Sequence, residues 1–176
     1  MQIRPFRPGD ESALHAVYLS AIHGLASKNY TPEQIQAWAP RDLDQNLWAK
    51  RMQGIQPFVV EDSDEIVAYA DVQSSGYIDH FFVSARYARQ GVGSMLMECI
   101  HRAACEQEIE ALTSDVSRTA QPFFERFGFV VVEQRAPIIR GVEVPNALMR
   151  KELPPNPSIE RTSQSLRLCA AAHVKR

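Results

Sequence analysis

The chain has 176 residues and a mass of 19.8 kDa, enough for one compact domain and too short for two of ordinary size. Its 45% hydrophobic and 23% charged residues exclude disordered, collagen-like and disulfide-scaffold classes. Nineteen Lys plus Arg against 21 Asp plus Glu leave a net charge of -2, without the basic excess that marks a nucleic-acid binder.

The N-terminal MQIRPFRPGDE lacks the apolar core of a signal peptide, and no stretch approaches the ~18 apolar residues that span a bilayer. Neither secretion nor a membrane partner is expected. Alternation over Met1 to Arg7, stopped by Pro8-Gly9, predicts a short strand and a turn. Asp10 then stands as an N-cap for a helix whose apolar face is Leu14, Val17, Tyr18, Ala21, Ile22 and Leu25. Thr31-Pro32-Glu33-Gln34 spells an N-cap, a proline at the first helical position and a capping-box Gln, so a second helix runs toward Ala39-Pro40. Two helices are thus expected before most of the sheet.

Pro57 to Glu61 and Ile66 to Val72 read as a hairpin turned at Asp62-Ser63-Asp64-Glu65, and Tyr77 to Val83 as one further strand. From Gly91 the period changes. Val92, Met95, Leu96, Cys99, Ile100 and Ala103 mark a helix reaching about Gln107. A strand over Leu112 to Val116 follows, then a helix over Thr119 to Phe127 closed by Gly128. Strands at Val130 to Glu133 and Ala147 to Leu153 complete a domain over 1–153. Pro154, Pro155 and Pro157 open a tail, 154–176, whose Ser, Thr, Gln and Pro content predicts disorder, with a short helix near Leu166 to Ala172 as the exception. The tail holds four basic residues against Glu160, a charge of +3, which leaves -5 on the body. Cys99, Cys105 and Cys169 show no C-x-x-C spacing, so neither a disulfide framework nor a metal site is expected, and a reducing, cytoplasmic setting suits them.

The segment from Tyr77 to Ser94 carries the most chemistry. A strand runs into a glycine-containing turn that opens a helix, where free backbone N–H groups and the helix dipole suit a phosphate or pyrophosphate. A dinucleotide fingerprint would need glycine where Leu96 stands, and a P-loop would need Gly-Lys-Ser/Thr.

Ala88-Arg89-Gln90-Gly91-Val92-Gly93 resembles the Q/R-x-x-G-x-G/A acetyl-CoA motif of the GNAT superfamily of N-acetyltransferases, departing from it at Ala88. Asp115 to Phe129 is similar to the family's later strand, loop and short helix ending in A-x-x-F-Y-x-x-x-G-F. The resemblance spans about Met1 to Leu153 and implies an α/β fold, with a mixed and mostly antiparallel sheet flanked by helices. Its two central parallel strands, Tyr77 to Val83 and Leu112 to Val116, would splay into a cleft for acetyl-CoA as co-substrate, with no metal. The resemblance further implies that the amides of Arg89, Gln90, Gly91, Val92, Gly93 and Ser94 meet the pyrophosphate, and that the pantetheine arm pairs with backbone near Phe82 and Val83. Ser117 stands where the family often has an Asn on the cofactor arm, and Phe124 where many relatives have a catalytic Tyr.

A primary amine on a small molecule, peptide or protein is the implied acceptor, with no nucleic acid as partner and a homodimer as one implied assembly. The family's base or water-holding residue falls at Tyr77 or Asp79. Asp79 acting through water ranks first and His80 second, because strand alternation puts Tyr77, Asp79, Phe81 and Val83 on one face and Ile78, His80 and Phe82 on the other. An equally weighted reading makes Asp79 a turn residue and His80 a core residue. Tyr30, Trp38 and Trp48 either border the acceptor pocket or pack at element ends. Two rivals to an acetyltransferase remain: a non-catalytic acyl-CoA-binding or regulatory module, and an enzyme using another acyl donor.

Overall fold

In the computed structural model, which describes residues 1–154, the sheet is built in two halves. Strands β1 (Gln2–Pro5), β2 (Phe58–Asp62), β3 (Glu65–Ala70) and β5 (Phe81–Val83) form an antiparallel half in the order β1-β2-β3-β5. The other half, β4-β6-β10-β7, contains β4 (Tyr77–Ile78), β6 (Ala111–Ser117), β10 (Asn146–Glu152) and β7 (Val130–Arg135), and only its β4–β6 pair is parallel. This is the mixed, mostly antiparallel architecture that the sequence implied.

Side-chain alternation buries the first half on both faces. Val59, Tyr69 and Phe82 meet α1 (Glu11–Gly24) and α3 (Gln45–Ile55), while Val60, Ala68, Ala70, Phe81 and Val83 meet α4 (Val92–Glu106). Strands covered on both sides need apolar residues at every position, which is why these segments read as nearly unbroken apolar runs. Helix α2 (Pro32–Trp38) starts in the predicted capping box: Thr31 Oγ1 accepts the Gln34 N–H at 3.2 Å and Gln34 Oε1 accepts the Thr31 N–H at 3.0 Å. Asp10 occupies the N-cap of α1, but its carboxylate accepts from Arg4 at 2.7 and 2.9 Å and from the Arg7 N–H at 2.8 Å. It ties the first strand to the helix and leaves the helical N–H groups alone. Helix α5 (Gln121–Arg126) follows β6 and ends at Gly128, whose φ of 84° is the left-handed stop expected there.

Three features depart from the sequence reading. A third helix, α3, precedes the sheet. It buries only Trp48 and Met52 and exposes Leu47, so its apolar period is too thin to read, although Asp44 caps it by accepting from the Asn46 and Leu47 N–H groups. A small hairpin, β8 (Ile138–Ile139) and β9 (Val142–Glu143), turns through Arg140 and Gly141 at φ 49° and 81°. The predicted tail, apart from Pro154, lies outside the described residues.

The third departure matters most. Tyr77 to Val83 is two strands in two half-sheets, interrupted at Asp79 and His80. There Asp71, 1% exposed, accepts the backbone N–H of both residues on one oxygen, Oδ1, at 3.1 and 2.6 Å. The chain pairs with β6 at Tyr77↔Thr113 and Ile78↔Ser114, then crosses to pair with β3 from Phe81 to Val83. The break also spoils the predicted alternation. Ile78 enters the α4-side core with Phe81, whereas Asp79 and His80 face one cavity together.

Gly76 sets up the parallel pair. Its carbonyl accepts the Thr113 N–H at 3.0 Å, its φ is 81°, and a Cβ there would stand 2.1 Å from the Ala111 carbonyl oxygen. Gly76→Ala is expected to cost at least ~2 kcal/mol from the left-handed backbone and the clash, lowering the thermal midpoint by several degrees. An unchanged midpoint would refute the close approach.

Burial pushes the Asp71 carboxyl up to about 6, against an ordinary 3.8, with the His80 N–H opposing that rise. The folded state therefore binds more protons than the unfolded one between those values, and Asp71 contributes stability as pH falls through 6 toward 3.8 and loses it as pH rises. Asp71→Asn keeps a carbonyl acceptor but removes the charge. The thermal midpoint of Asp71→Asn minus that of the wild type should be higher at pH 7.5 than at pH 4.5. A difference that does not change with pH would mean that Asp71 is not an ionised buried group.

Candidate active site

Where β4 gives way to β5 the two half-sheets part, and β5 turns one edge toward the opening. Ser84 N–H donates to the Val67 carbonyl at 2.9 Å and Asp71 N–H to the His80 carbonyl at 3.1 Å, so His80, Phe82 and Ser84 direct their backbone groups at β3. The backbone N–H and C=O groups of Phe81 and Val83 then point the other way, into the gap. Val83 thus presents its backbone groups to the gap, whereas those of Phe82 are committed to Tyr69.

At the end of β5 the chain makes one 3-10 turn, Ala85–Tyr87, and enters α4 through Arg89 and Gly91, both left-handed at φ 62° and 85°. Gly91 is the N-cap residue, and the Met95 N–H is bonded back to its carbonyl at 3.1 Å. The amides of Val92, Gly93 and Ser94 lie ahead of that first bond and have no acceptor within the helix. A Cβ on Gly91 would meet nothing within 4 Å, whereas one on Gly93 would come 3.1 Å from the Phe123 ring. The turn is thus open at Gly91 and closely backed at Gly93, a shape that admits a diphosphate against the amides.

On the other side of β5 lies a cavity of about 320 Å³. Its lining brings together Asp79, His80 and Ser117, which the sequence singled out, with Tyr30, Trp38 and Trp48 from the helical region. Tyr77 is elsewhere: its phenol donates to Asp115 Oδ2 at 3.0 Å, and burial with that carboxylate pushes it up to about 12. Phe124 is 2% exposed and packs at 5.5 Å from Phe81 and 5.0 Å from Phe129 between the half-sheets, a core position.

His80 is enclosed by the rings of Tyr18, Trp48, Tyr69 and Phe82 at centroid distances of 5.4 to 6.1 Å. Arg51 on α3 donates through Nε to His80 Nε2 at 3.1 Å and through a terminal nitrogen to Asp79 Oδ2 at 2.6 Å. A guanidinium can only donate, so Nε2 is an acceptor, Nδ1 carries the proton, and that proton goes to the Tyr69 oxygen at 3.0 Å. Burial lowers the His80 imidazole to about 4, Asp79 opposing and Arg51 reinforcing the shift. The ring is neutral at pH 7 with both nitrogens engaged. Asp79, by contrast, spends Oδ2 on Arg51 and keeps Oδ1 without a hydrogen bond among the described residues.

Asp71, Arg51 and Arg140 all shape this site and were missed in the sequence. Asp71 left a trace, a lone acid in the apolar run from Ile66 to Val72. Arg51 sits on the helix whose period was too thin to read. Arg140 occupies a turn between two-residue strands, where no pattern marks it. Among the described residues no three His, Cys, Asp or Glu side chains group closely enough to hold a metal, and no helix is long and apolar enough to cross a membrane.

The model for the Acetyltransferase (GNAT) domain family matches residues 26–144. The uncharacterised N-acetyltransferase YafP of Escherichia coli (strain K12) is 37% identical over 150 residues, which cover 85% of this chain and 95% of YafP. A GCN5-related N-acetyltransferase from Rhodopseudomonas palustris superimposes with a TM-score of 0.83 at 28% identity, over 86% of this chain and 95% of that one. YncA of Salmonella typhimurium, whose structure contains its cofactor acetyl-CoA, shares the fold with a TM-score of 0.64 at 16% identity, over 88% of this chain and 94% of its own. With a family model over most of its length and a relative this similar from end to end, the chain belongs to the GNAT superfamily of N-acetyltransferases.

Proposed function

We propose that the protein transfers an acetyl group from acetyl-CoA to a primary amine by direct attack in a ternary complex. One observation carries this reading: the free edge of β5 has the amide-lined turn of α4 at one end and the aromatic cavity beside it. Acetyl-CoA brings an acyl group already activated as a thioester, as in YncA, and the chain has to hold, orient and deprotonate. The amides from Arg89 to Ser94 receive the pyrophosphate, and the positive end of α4 favours its charge. The Val83 backbone groups pair with the pantetheine arm, and a β5 amide stabilises the oxygen on which negative charge develops. Ser117, at the end of β6, contacts the arm from the facing strand.

The acceptor enters from the cavity as an ammonium and must lose a proton before attack. Asp79 is the group suited to take it, directly or through one water, because Oδ1 is free and Arg51 fixes the carboxylate through Oδ2. His80 fits this role less well. A ring lowered to about 4, with both nitrogens bonded, is a weak base, and its part is to hold Arg51 in place. The departing CoA thiolate needs no phenol beside it, since a thiolate is a tolerable leaving group near neutral pH. The absence of a phenol at Phe124 is the observation that favours the rival, a non-catalytic acyl-CoA-binding module.

Thiol release from acetyl-CoA in the presence of an amine panel separates the two. The wild type should turn over at least one primary amine, and Asp79→Asn should lower kcat about 10²- to 10³-fold while CoA affinity stays within about threefold. Gly91→Val, which places a branched side chain in the open turn at a left-handed φ, should weaken CoA binding at least tenfold. CoA binding with no turnover on any amine, unchanged in Asp79→Asn, would establish the binding module. Full CoA affinity in Gly91→Val would overturn the cradle itself.

A further inference from the structure

We infer that the acceptor is a small primary amine that also bears a carboxylate, such as a free amino acid, and that Arg140 is the group that receives the carboxylate. This rests on the acetyltransferase reading and names the substrate class of the same cavity.

The charge inventory of the cavity is the first argument. Four charged side chains line it, and three are matched: Arg51 pairs with Asp79 at 2.6 Å, and Asp115 with Arg135 at 2.9 Å. Arg140 has no carboxylate within ion-pair distance among the described residues. Its guanidinium gives one N–H to the Ala37 carbonyl at 2.7 Å, which leaves four of its five donors for another partner. An exposed cation in the cavity lining without a counter-charge is left with a vacant planar fork, and a carboxylate fits that fork bidentately.

The second argument is that the fold holds Arg140 there. It sits at the turn of the β8–β9 hairpin, whose two left-handed residues bend the chain back over the cavity. The hairpin base is closed by Val144 N–H on the Pro137 carbonyl at 3.0 Å, and Gln34 on α2 donates to the Glu143 carbonyl at 2.9 Å. The Tyr30 phenol donates to the Pro145 carbonyl at 2.5 Å and accepts the Arg118 N–H at 2.9 Å, fastening the same segment to the end of β6. A segment tied at three points keeps the Arg140 backbone in place, and the bond to the Ala37 carbonyl orients its guanidinium, so less order has to be imposed when an anion binds.

The third argument comes from the acceptor that remains for an ammonium in the same lining. Asp79 retains Oδ1. A free carboxylate oxygen at the break after β4 and a free fork on the hairpin suit a molecule carrying both an ammonium and a carboxylate. A cavity of about 320 Å³ with aromatic walls has room for one amino acid, and a lysine on a protein surface brings no carboxylate with it.

The test compares phenylalanine with 2-phenylethylamine and leucine with 3-methylbutylamine, pairs that differ only by the carboxylate. Two readouts are taken: acetylation kinetics, and quenching of Trp38 and Trp48 fluorescence without acetyl-CoA. In the wild type the amino acid of at least one pair should have a kcat/KM about 10- to 100-fold above its decarboxylated partner. The same amino acid should quench at lower concentration. In Arg140→Gln, with CoA binding retained as evidence of folding, both preferences should collapse to within about threefold through KM, and Arg140→Lys should restore part of them. Carboxylate-dependent quenching with no turnover on any amine of the panel would sink the transferase reading and leave Arg140 standing only as a carboxylate-binding group. Equal or better binding and turnover of the decarboxylated amines, a preference unchanged in Arg140→Gln, or neither quenching nor turnover with either amino acid would overturn it.

Discussion

The structure depends on one carboxylate oxygen. Asp71 Oδ1 accepts two consecutive backbone N–H groups, those of Asp79 and His80, and so satisfies in the core two donors that no sheet partner reaches. Without such an acceptor, interrupting a buried strand would leave orphan amides, each costing about 1 to 3 kcal/mol. With it, the chain can pair first with β6 and then with β3, and the gap between the half-sheets is built into the ladder. Every functional element described above hangs on that interruption. It exposes the outer edge of β5, turns Asp79 and His80 into one cavity, and aims the following turn at the start of α4. The carboxylate is kept in a place hostile to its charge, which suggests that the geometry is worth the burial.

Electrostatic order around the break follows from the same burial. The imidazole of His80 accepts from a guanidinium, with Asp79 Oδ2 3.7 Å from the same nitrogen, and the ring can accept only because it is neutral. Arg51 in turn is held by two acceptors of different kinds, the Asp79 carboxylate and the His80 lone pair, at 2.6 and 3.1 Å. The result is a carboxylate fixed in orientation with one oxygen open. A base needs that combination of fixed aim and free lone pair, and Asp79 would lose the fixed aim without Arg51.

What the sequence revealed divides along the same line. The turn into α4 was legible because it is local: strand, turn, glycine and amphipathic helix follow one another from Tyr77 to Ser94, and each leaves its own signature in period or residue type. The cavity was not, because its parts lie far apart in the chain. Arg51 belongs to a helix with two buried residues. Arg140 belongs to strands two residues long. The interruption at Asp79 is imposed by a residue eight positions earlier through a contact that only the folded chain makes. Alternation, a rule about an isolated strand, accordingly failed at the one place where a tertiary bond overrides it. Asp71 itself was readable as an acid among apolar neighbours, but nothing local said which amides it would meet.

That division has a consequence for how the two sides can change. The cradle proposed for a diphosphate is made of backbone amides at the start of α4, so side-chain substitutions away from Gly91 and Gly93 leave its chemistry in place. The cavity is made of side chains from α1, α2, α3, the break after β4, β5, β6, the β8–β9 hairpin and the start of β10, and none of its lining residues belongs to the turn into α4. Replacing Trp38 or Arg140 alters the cavity while the turn into α4 stays as it was. The two meet at β5, one edge of which is open and whose Phe82 lines the cavity, and at the end of β6, where Ser117 lines it too. Acceptor choice can therefore drift by substitution of exposed or half-buried residues, whereas a change at Asp71, which no ligand touches, disturbs both sides at once.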